Sequence, residues 1–476
     1  MIVYGDTSRR EPIDGTVEVL RWRIDQALSA DPHPAALRLL VERAGELEQA
    51  LFDAPECLGA CCSSRTRALA GVRRAGSWIA SAFEHSYNRS PDPSHQALRR
   101  ARDSLLSLTG VQGSASVTVP KGFAFYALFP ESYRLAARRW AADHVDAARR
   151  DVLVVGIRSI GTTLSAVVAQ AIREQRFAVR RRTVRLEGEP FERRLDEQLP
   201  KAAFGIVVDE GPGLSGSSML AVADAMSRAG VGEVSLIHAH DRGPGPKVTE
   251  SARRRWSSLR RYAAAHAELS FDGRTLAEEL WMGVAPAIEG TLQRSDDVSA
   301  GAWRRFVYEI GAVWPDVSRP LERPKILCSS TDGNRVLFKF AGFAASPRDD
   351  GSLATAVARR AVPLAAMGFA PRLLGEAHGF VAWEWIEGRP LGIQDATPSL
   401  AARMGEYVAR AAGPPLEPED AREAMERART MLLANTRECL GEDASSAAAT
   451  EGDRLGAPAG TRTAGDGHLA PHEWVR

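Results

Sequence analysis

The sequence predicts an α/β protein built around a parallel sheet, and three observations support this fold class. Four runs are strand candidates, and two of them, residues 151–155 and 204–208, are short, apolar and typical of strands buried on both faces. The four runs alternate with segments of helical spacing, and this order predicts a parallel sheet. Residues 15–108 carry apolar side chains at intervals of three and four, which predicts helices. Residues 325–343 contain a hairpin pattern. The four runs are residues 151–155, 177–184, 204–208 and 233–240.

Length and composition limit the class of protein. A chain of 476 residues is long enough for two or three domains with sizeable cores. The net charge of +1 gives no reason to expect a nucleic-acid partner or an anionic membrane. No run approaches the ~18 apolar residues of a spanning helix, and the start lacks the order of a secretory signal. The five unevenly spaced cysteines indicate reduced thiols, so we expect a cytoplasmic protein without a membrane partner.

The N-terminal part of the chain, residues 1–112, reads as a helical region after a polar start. Turn signals rich in proline and aspartate interrupt the helical stripes at residues 31–34 and 90–93. A cysteine cluster around Cys61 could hold a metal, but no further ligands complete a zinc set, so no metal site is predicted here. A short strand at residues 116–119 and a helix from Pro130 to about residue 148 then lead into the α/β domain, predicted over residues 113–248.

The most informative stretch is residues 204–219, FGIVVDEGPGLSGSSM. The apolar strand at its start places Asp209 and Glu210 at the carboxyl end, where open α/β sheets bind ligands. Adjacent carboxylates can accept hydrogen bonds from vicinal hydroxyls. The Gly/Ser loop that follows can direct backbone N–H groups towards an anion, and a helix over about 218–229 adds its positive end. This combination fits a ribose 5-phosphate, whereas the alternative is an ordinary strand-to-helix turn.

The order of apolar strand, two acids and Ser215-Gly216-Ser217-Ser218 resembles the phosphoribosyl-pyrophosphate motif of type I phosphoribosyltransferases. Serines replace that family's threonines, and the loop is one residue longer, with Pro212 inside it. The resemblance implies that Asp209 and Glu210 form the catalytic pair that holds the ribose hydroxyls, and that Mg²⁺ is the cofactor. It also implies that the loop binds the 5-phosphate, with the N–H of Gly216 facing it. The loop residues are Gly211, Gly213, Leu214, Ser215, Gly216, Ser217 and Ser218.

A second strand–loop–helix unit precedes this motif. Its loop, predicted over residues 156–163 with the sequence GIRSIGTT, has glycines for close backbone approach, an arginine and several hydroxyls. The resemblance implies that it embraces the pyrophosphate of the substrate. The alternative is a plain turn whose arginine points to solvent. The predicted contact residues are Arg158, Ser159, Ile160, Gly161 and Thr162.

Two further features of this half of the chain allow two interpretations each. The charged segment after residue 184 could be a lid whose Arg185, Arg193 and Arg194 reach the pyrophosphate, or its arginines could simply be solvated. His238 and His240 could ligate a metal, although core or edge histidines are the more ordinary interpretation. Residues 249–320 are expected to form a helical connector without chemistry.

Residues 321–392 resemble the small lobe of aminoglycoside-phosphotransferase-like kinases. A hairpin, a helix at 353–367 and two more strands follow in that family's order, and Lys339 falls where its nucleotide-phosphate lysine lies. The helix carries no Glu to pair with that lysine. Residues 393–476 read as an incomplete large lobe, with disorder expected at 441–464 and Asp466 as the candidate acid, without the later Asn and Asp of the family.

The function expected from these patterns is a Mg²⁺-dependent phosphoribosyltransferase that uses phosphoribosyl pyrophosphate and an unknown base or nucleotide. One alternative is a non-catalytic sensor of a phosphorylated sugar or nucleotide, coupled to the kinase-like part. Another is a small-molecule kinase. The sequence leaves the acceptor and the oligomeric state open.

Overall fold

A computed structural model describes most of the chain and divides it into two compact units. Of the residues that the structure describes, the larger unit comprises those of 7–280 with 342–343 and 353, and the smaller comprises those of 281–341 and 354–455. The described residues are 7–30, 33–58, 62–87, 91–111, 113–147, 149–188, 191–314, 322–343, 353–412 and 418–455. No helix among them is long and apolar enough to cross a membrane.

The larger unit begins with a helical region, as the spacing of apolar residues predicts. The polar start of the chain contains a strand that the sequence did not predict. This strand pairs antiparallel with the strand that follows the helices. The elements are β1 (Thr7–Pro12), α1 (Ile13–Leu28), α2 (Pro34–Asp53), α3 (Cys62–Ser86), α4 (Pro91–Ser104), β2 (Ser114–Val119), α5 (Lys121–Ala124) and α6 (Pro130–Asp143).

A five-stranded parallel sheet follows and confirms the predicted α/β class. All four predicted strands are present, and a fifth, which the sequence did not predict, lies in the segment expected to be helical. The elements are β3 (Asp151–Ile157), α7 (Ile160–Glu174), β4 (Ala178–Val184), β5 (Phe204–Val208), α8 (Ser217–Arg228), β6 (Glu233–Ile237), α9 (Glu250–Ser257) and β7 (Arg260–Tyr262). The strand order is β4-β3-β5-β6-β7.

The strand order reverses between β3 and β5. From β3 the chain crosses through α7 to β4 on one side, whereas from β5 it crosses through α8 to β6 on the other. Right-handed crossovers in opposite directions place the two helices on opposite faces of the sheet. Consistent with this, Met219 of α8 and Val167 of α7 belong to different core clusters. The carboxyl ends of β3 and β5 therefore meet at a topological switch point, where open α/β sheets bind their ligands.

Helix α2 packs against the N-terminal half of α7. The close approach requires Gly45, because a Cβ there would lie 1.9 Å from Oγ1 of Thr163. Buried charges pair across the same layer: Arg181 of β4 donates to both carboxylate oxygens of Glu48 at 2.5 Å. The helical region is thus part of the wall around the first strand–loop–helix unit.

Short elements join the two sheets. They are β8 (Ser270–Phe271), β9 (Arg274–Thr275) and α10 (Leu276–Val284). The smaller unit contains an antiparallel sheet of order β10-β11-β12-β14-β13. Its elements are β10 (Leu292–Asp297), β11 (Lys325–Ser330), β12 (Arg335–Phe340), α11 (Leu353–Ala366), β13 (Leu373–Ala377), β14 (Phe380–Glu384), α12 (Pro398–Ala411), α13 (Pro418–Leu440) and α14 (Glu442–Leu455).

The smaller unit confirms the predicted hairpin and its helix and corrects two expectations. β10 lies within the segment expected to be a helical connector, so that segment contributes strands to both sheets. α14 lies in the run expected to be disordered, since its alanines favour helix. Residues 456–464 of that run and Asp466 lie outside the described residues.

Candidate functional site

Charged side chains are ordered along the carboxyl edge of the parallel sheet. Arg185 directly follows β4, and Arg158 directly follows β3. Asp209 and Glu210 directly follow β5, and His238 follows β6. The edge therefore changes from cationic beside β4 and β3 to anionic at β5, on the two sides of the switch point.

The backbone of the two acids is held from both sides. Tyr133 of α6 donates its hydroxyl to the carbonyl oxygens of Asp209, at 2.9 Å, and Glu210, at 3.3 Å. The N–H of Ala239 also donates to the Glu210 carbonyl, at 3.1 Å. Burial, and then the nearby Glu210 and Asp209, raise the pKa of Tyr133 well above its ordinary value, so the hydroxyl keeps its proton. Both carboxyl side chains are half-buried at a rigid strand end.

The loop after the acids is shaped by two glycines in the left-handed region. Gly213 has φ +58° and Gly216 has φ +76°. The carbonyls of Gly213 and Leu214 accept from the N–H groups of Gly245 and Lys247, at 2.9 and 3.0 Å. The loop is therefore anchored through its carbonyl groups.

Anchoring by carbonyls leaves several N–H groups of the loop available. Within the described part of the chain, four of them have no protein acceptor. Leu214 follows one left-handed glycine and Ser215 precedes the other, so their N–H groups can form a backbone anion nest. Ser218 lies in the first turn of α8, which adds the positive end of a helix. This arrangement can bind a phosphate. The four N–H groups are those of Gly213, Leu214, Ser215 and Ser218.

Gly216 does not have the role that the sequence predicts. Its N–H donates to the carbonyl of Pro212 at 2.8 Å, so it is not available to a phosphate. A Cβ at this position would lie 2.9 Å from Cγ of Pro244 and 3.5 Å from Trp256. Its glycine is required by the turn and by internal packing. The N–H of Ser217 is likewise taken, by the hydroxyl of Ser215 at 3.2 Å.

The loop after β3 is much shorter than the predicted residues 156–163. β3 continues to Ile157 and α7 begins at Ile160, so only Arg158 and Ser159 connect them, through a cis peptide bond. Of the predicted contact residues, Ile160, Gly161 and Thr162 therefore lie in the first helical turn. The N–H groups of Ile160 and Gly161 have no acceptor among the described residues, and both residues are buried.

The glycines beside this loop serve internal packing. A Cβ at Gly156 would lie 2.0 Å from the carbonyl oxygen of Gly161, and a Cβ at Gly161 would lie 2.7 Å from that of Val208. The first turn of α7 thus rests directly on the ends of β3 and β5. The sequence predicts that a ligand lies close to these glycines, but in the structure other backbone atoms of the protein lie there. Thr162 is buried, and its hydroxyl has no partner in the described part of the chain.

The side chain of Arg158 is largely buried and is held by protein groups. It donates to Oδ1 of Asp53 at 2.9 Å and to the carbonyl of Thr183 at 3.3 Å. Arg185 donates to the same carboxylate. Burial acts to raise the pKa of Asp53, but hydrogen bonds from Arg185, Gln49 and Arg158 outweigh it and hold the pKa below its ordinary value. Asp53 lies 105 residues before Arg158, and no sequence pattern singled it out.

The other arginines of the predicted lid make local contacts. Arg193 donates to the carbonyl of Gly188, and Arg194 pairs with Asp196 at 3.4 Å. Both interactions remain within the segment between β4 and β5. Of the three arginines considered for the pyrophosphate, only Arg185 lies next to Arg158 through a shared partner.

The two histidines lie beyond the end of β6 and not in the strand. His238 is buried, with its ring centroid 5.4 Å from that of Trp256 and 5.7 Å from that of His240. Burial, and then His240, lower the pKa of His238 to about 3, so its ring is neutral. Among the described residues, no group of three or more His, Cys, Asp and Glu side chains could hold a metal ion. The burial of His238 beside Trp256 favours the core interpretation for this histidine.

Lys339 lies in the smaller unit, on β12, in register with Lys325 of β11 and Val381 of β14. Helix α11 contains no Glu, as the sequence shows, and its arginines are exposed. On β13, which β14 separates from β12, Glu376 accepts from Thr355 of α11 at 2.7 Å. No protein-family model matches the chain, and no curated protein is significantly similar to it.

Proposed function

We propose that the larger unit binds phosphoribosyl pyrophosphate and transfers its ribose 5-phosphate to a base. The observation that carries this proposal is the juxtaposition at the β5 end of two carboxylates and a loop with four available N–H groups. Carboxylates suit vicinal hydroxyls, and a nest at a helix N-terminus suits a phosphate monoester. A ribose 5-phosphate presents both groups.

The order of charge along the sheet edge supports one orientation of the ligand. Asp209 and Glu210 would hold the ribose hydroxyls, and the loop before α8 would hold the 5-phosphate. The pyrophosphate would then lie towards β3, near the first turn of α7 and Arg158. A cationic side chain and a helix N-terminus both stabilise an anionic leaving group there.

Mg²⁺ fits the donor set at this site. Carboxylate and phosphate oxygens are the ligands it prefers, and it retains water in the other positions. Asp209 and Glu210 would contribute carboxylates, and the substrate would contribute most other ligands, because the described residues contain no complete metal-binding group. When bound, the ion neutralises charge on the leaving pyrophosphate.

The protein residues would act mainly by positioning the reacting groups. The strand end and Tyr133 keep the acids in place, and the anchored loop keeps the phosphate in place. Fixed groups on both sides of the ribose hold its anomeric carbon in one orientation towards an acceptor. Oriented N–H groups and carboxylates stabilise charge that develops at the ribose without having to reorganise.

A second candidate is a sensor that binds the same ligand without turnover. Arg158, the expected pyrophosphate ligand, is engaged by Asp53, and this favours weak binding of the leaving group. Both candidates place the sugar phosphate in the same loop. They differ in whether the bond to pyrophosphate is broken.

Pyrophosphate release separates the two candidates. The full-length chain would be titrated calorimetrically with phosphoribosyl pyrophosphate and Mg²⁺, and then assayed for pyrophosphate release with a panel of purine, pyrimidine and pyridine bases. Binding followed by base-dependent release supports the transferase. Binding without release with any base supports the sensor, and absence of binding refutes both.

A further inference from the structure

Two arginines at the cationic end of the sheet edge share one carboxylate. Arg158 and Arg185 follow adjacent parallel strands, and both donate to Asp53, the last residue of α2. Their Nη1 and Nε atoms, respectively, lie 2.9 Å from the same oxygen of Asp53. Gln49, one turn earlier on α2, donates to the other oxygen at 2.9 Å.

This contact is more than a solvated surface pair on the Arg158 side. The side chains of Arg158 and Asp53 are only 14% and 18% exposed, so water competes weakly for them. The Phe52 carbonyl also accepts from Arg158, at 3.4 Å, and its ring lies 5.8 Å from the guanidinium. The end of α2 therefore encloses Arg158 with an anion, a carbonyl and an aromatic ring.

A guanidinium binds carboxylate and phosphate oxygens with the same N–H groups. The N–H groups of Arg158 that reach Asp53 cannot donate to a pyrophosphate oxygen at the same time. The Nε–H of Arg158 has no partner among the described residues, but this nitrogen is buried. A ligand anion that reaches the first turn of α7 would therefore have to displace Asp53 or bind without the exposed N–H groups of this arginine. In the 5-phosphate loop, by contrast, no carboxylate of the described residues accepts from the four available N–H groups.

We propose that Asp53 is an internal competitor of pyrophosphate, which holds Arg158 and Arg185 until a ligand anion displaces it. The proposal rests on the function proposed above, because it concerns the pyrophosphate side of the same site. It gives the helical region a role in binding, since displacement of Asp53 releases the end of α2. Pyrophosphate binding and loosening of the end of α2 are then linked. A change that loosens the end of α2 strengthens pyrophosphate binding, and pyrophosphate binding favours the loosened end of α2 by the same factor.

The test compares wild type with Asp53→Asn, which keeps an amide oxygen near the arginines but removes the charge. Calorimetry would use three probes, each with Mg²⁺: inorganic pyrophosphate, phosphoribosyl pyrophosphate and ribose 5-phosphate. Asp25→Asn is the matched control, because it removes a carboxylate that pairs with Arg102 at 2.7 Å within the helical region. Asp53→Glu retains the charge, and thermal melts report folding for every variant.

We expect Asp53→Asn to bind both pyrophosphate-containing probes at least about fivefold more tightly, the lower end of usual coupling between sites. Affinity for ribose 5-phosphate should not change, and Asp25→Asn and Asp53→Glu should resemble wild type. Hydrogen exchange at Leu51 to Leu58 should accelerate when pyrophosphate binds to wild type.

Unchanged or weaker pyrophosphate binding by a folded Asp53→Asn would overturn this proposal, and would mean that Asp53 merely positions the arginines. If ribose 5-phosphate still bound, the proposed function would remain. If Asp53→Asn did not fold, slower or unchanged exchange at the end of α2 in pyrophosphate-bound wild type would overturn the proposal. Failure of every protein to bind any of the three probes would refute both proposals.

Discussion

The two strand–loop–helix units at the switch point differ in how open they are. After β5, the loop is long, partly exposed and anchored by carbonyls, so its N–H groups remain available. After β3, the connection is two residues long, and Arg158 donates to Asp53. Backbone atoms occupy the space beside the flanking glycines, Gly156 and Gly161. Similar sequence patterns thus produce one open and one closed loop. Part of the difference arises from α2, which packs on α7 and supplies Asp53 to the loop after β3.

The largest expected effect concerns the acids beside the open loop. Asp209→Asn with Glu210→Gln should weaken phosphoribosyl-pyrophosphate binding by about 3–6 kcal/mol, because each charge-assisted hydrogen bond contributes about 1.5–3 kcal/mol. The charge-matched control is Asp224→Asn with Glu250→Gln on α8 and α9, where both acids pair with arginines of α9. Calorimetry on both double variants measures the effect. Equal affinity in the two would remove the acidic pair from the site.

The next prediction compares one glycine from each unit. Gly156→Ala should destabilise the fold by roughly 3–5 kcal/mol, since the added Cβ would lie 2.0 Å from a backbone oxygen that cannot move away. Gly213→Ala should cost only about 1 kcal/mol, because open space surrounds its Cβ and only the positive φ is unfavourable. Denaturant unfolding measures both. Similar losses would show that the two loops are equally tightly packed.

Gly216 tests whether the open loop binds through the groups assigned to it. Gly216→Val should destabilise the fold by about 2 kcal/mol, through its positive φ and contact with Pro244. Ligand affinity of the folded protein should change less than that of the acid variant, because the N–H of Gly216 is already bonded to Pro212. Thermal melts and calorimetry on one preparation measure both quantities. Normal stability with abolished binding would return Gly216 to the phosphate site.

The smallest predicted effect concerns the α2 wall of the closed loop. Glu42 is fully buried, and its two carboxylate oxygens have no partner among the described residues. Burial raises the pKa of Glu42 well above its ordinary value; Arg38 opposes this shift, and Glu46 and Glu131 add to it. A raised pKa means that the folded protein loses stability as pH rises above the unfolded value of about 4.3.

Glu42→Met should therefore stabilise the protein at pH 8, by about 1–2 kcal/mol for removal of an unsatisfied buried group, with a smaller gain towards pH 4. Glu48→Met is the contrasting variant. It should destabilise, because it leaves Arg181 buried without its carboxylate. Unfolding measured across this pH range distinguishes the two, and a pH-independent effect of Glu42→Met would contradict the argument.

Strands with strong local signals could be predicted, and strands defined by their partners could not. β5 consists of buried apolar residues and was predicted with its observed bounds. β1, with sequence TSRREP, and β10, with sequence LQRSDD, are polar and carry no strand pattern. They form because a neighbouring strand offers hydrogen bonds, which a local pattern does not contain. The helical pattern of α7 likewise did not show that the helix begins at Ile160.

The chemistry of the open loop was accessible from sequence because its acids, glycines and serines are contiguous. The state of the closed loop was not, because it depends on Asp53, which is brought to Arg158 only by the packing of α2 on α7. The sequence predicts that the N–H of Gly216 contacts the phosphate, because a sequence shows where a glycine is. It does not show that this N–H already donates to the carbonyl of Pro212.

The most direct test of the central claim is a crystal structure of the chain soaked with phosphoribosyl pyrophosphate and Mg²⁺. The account predicts that the 5-phosphate oxygens lie about 2.7–3.2 Å from the backbone nitrogens of Gly213, Leu214, Ser215 and Ser218, as in ordinary N–H···O hydrogen bonds. The ribose hydroxyls should contact Asp209 and Glu210. Density for the ligand elsewhere in the chain, or an empty loop at saturating ligand, would contradict it.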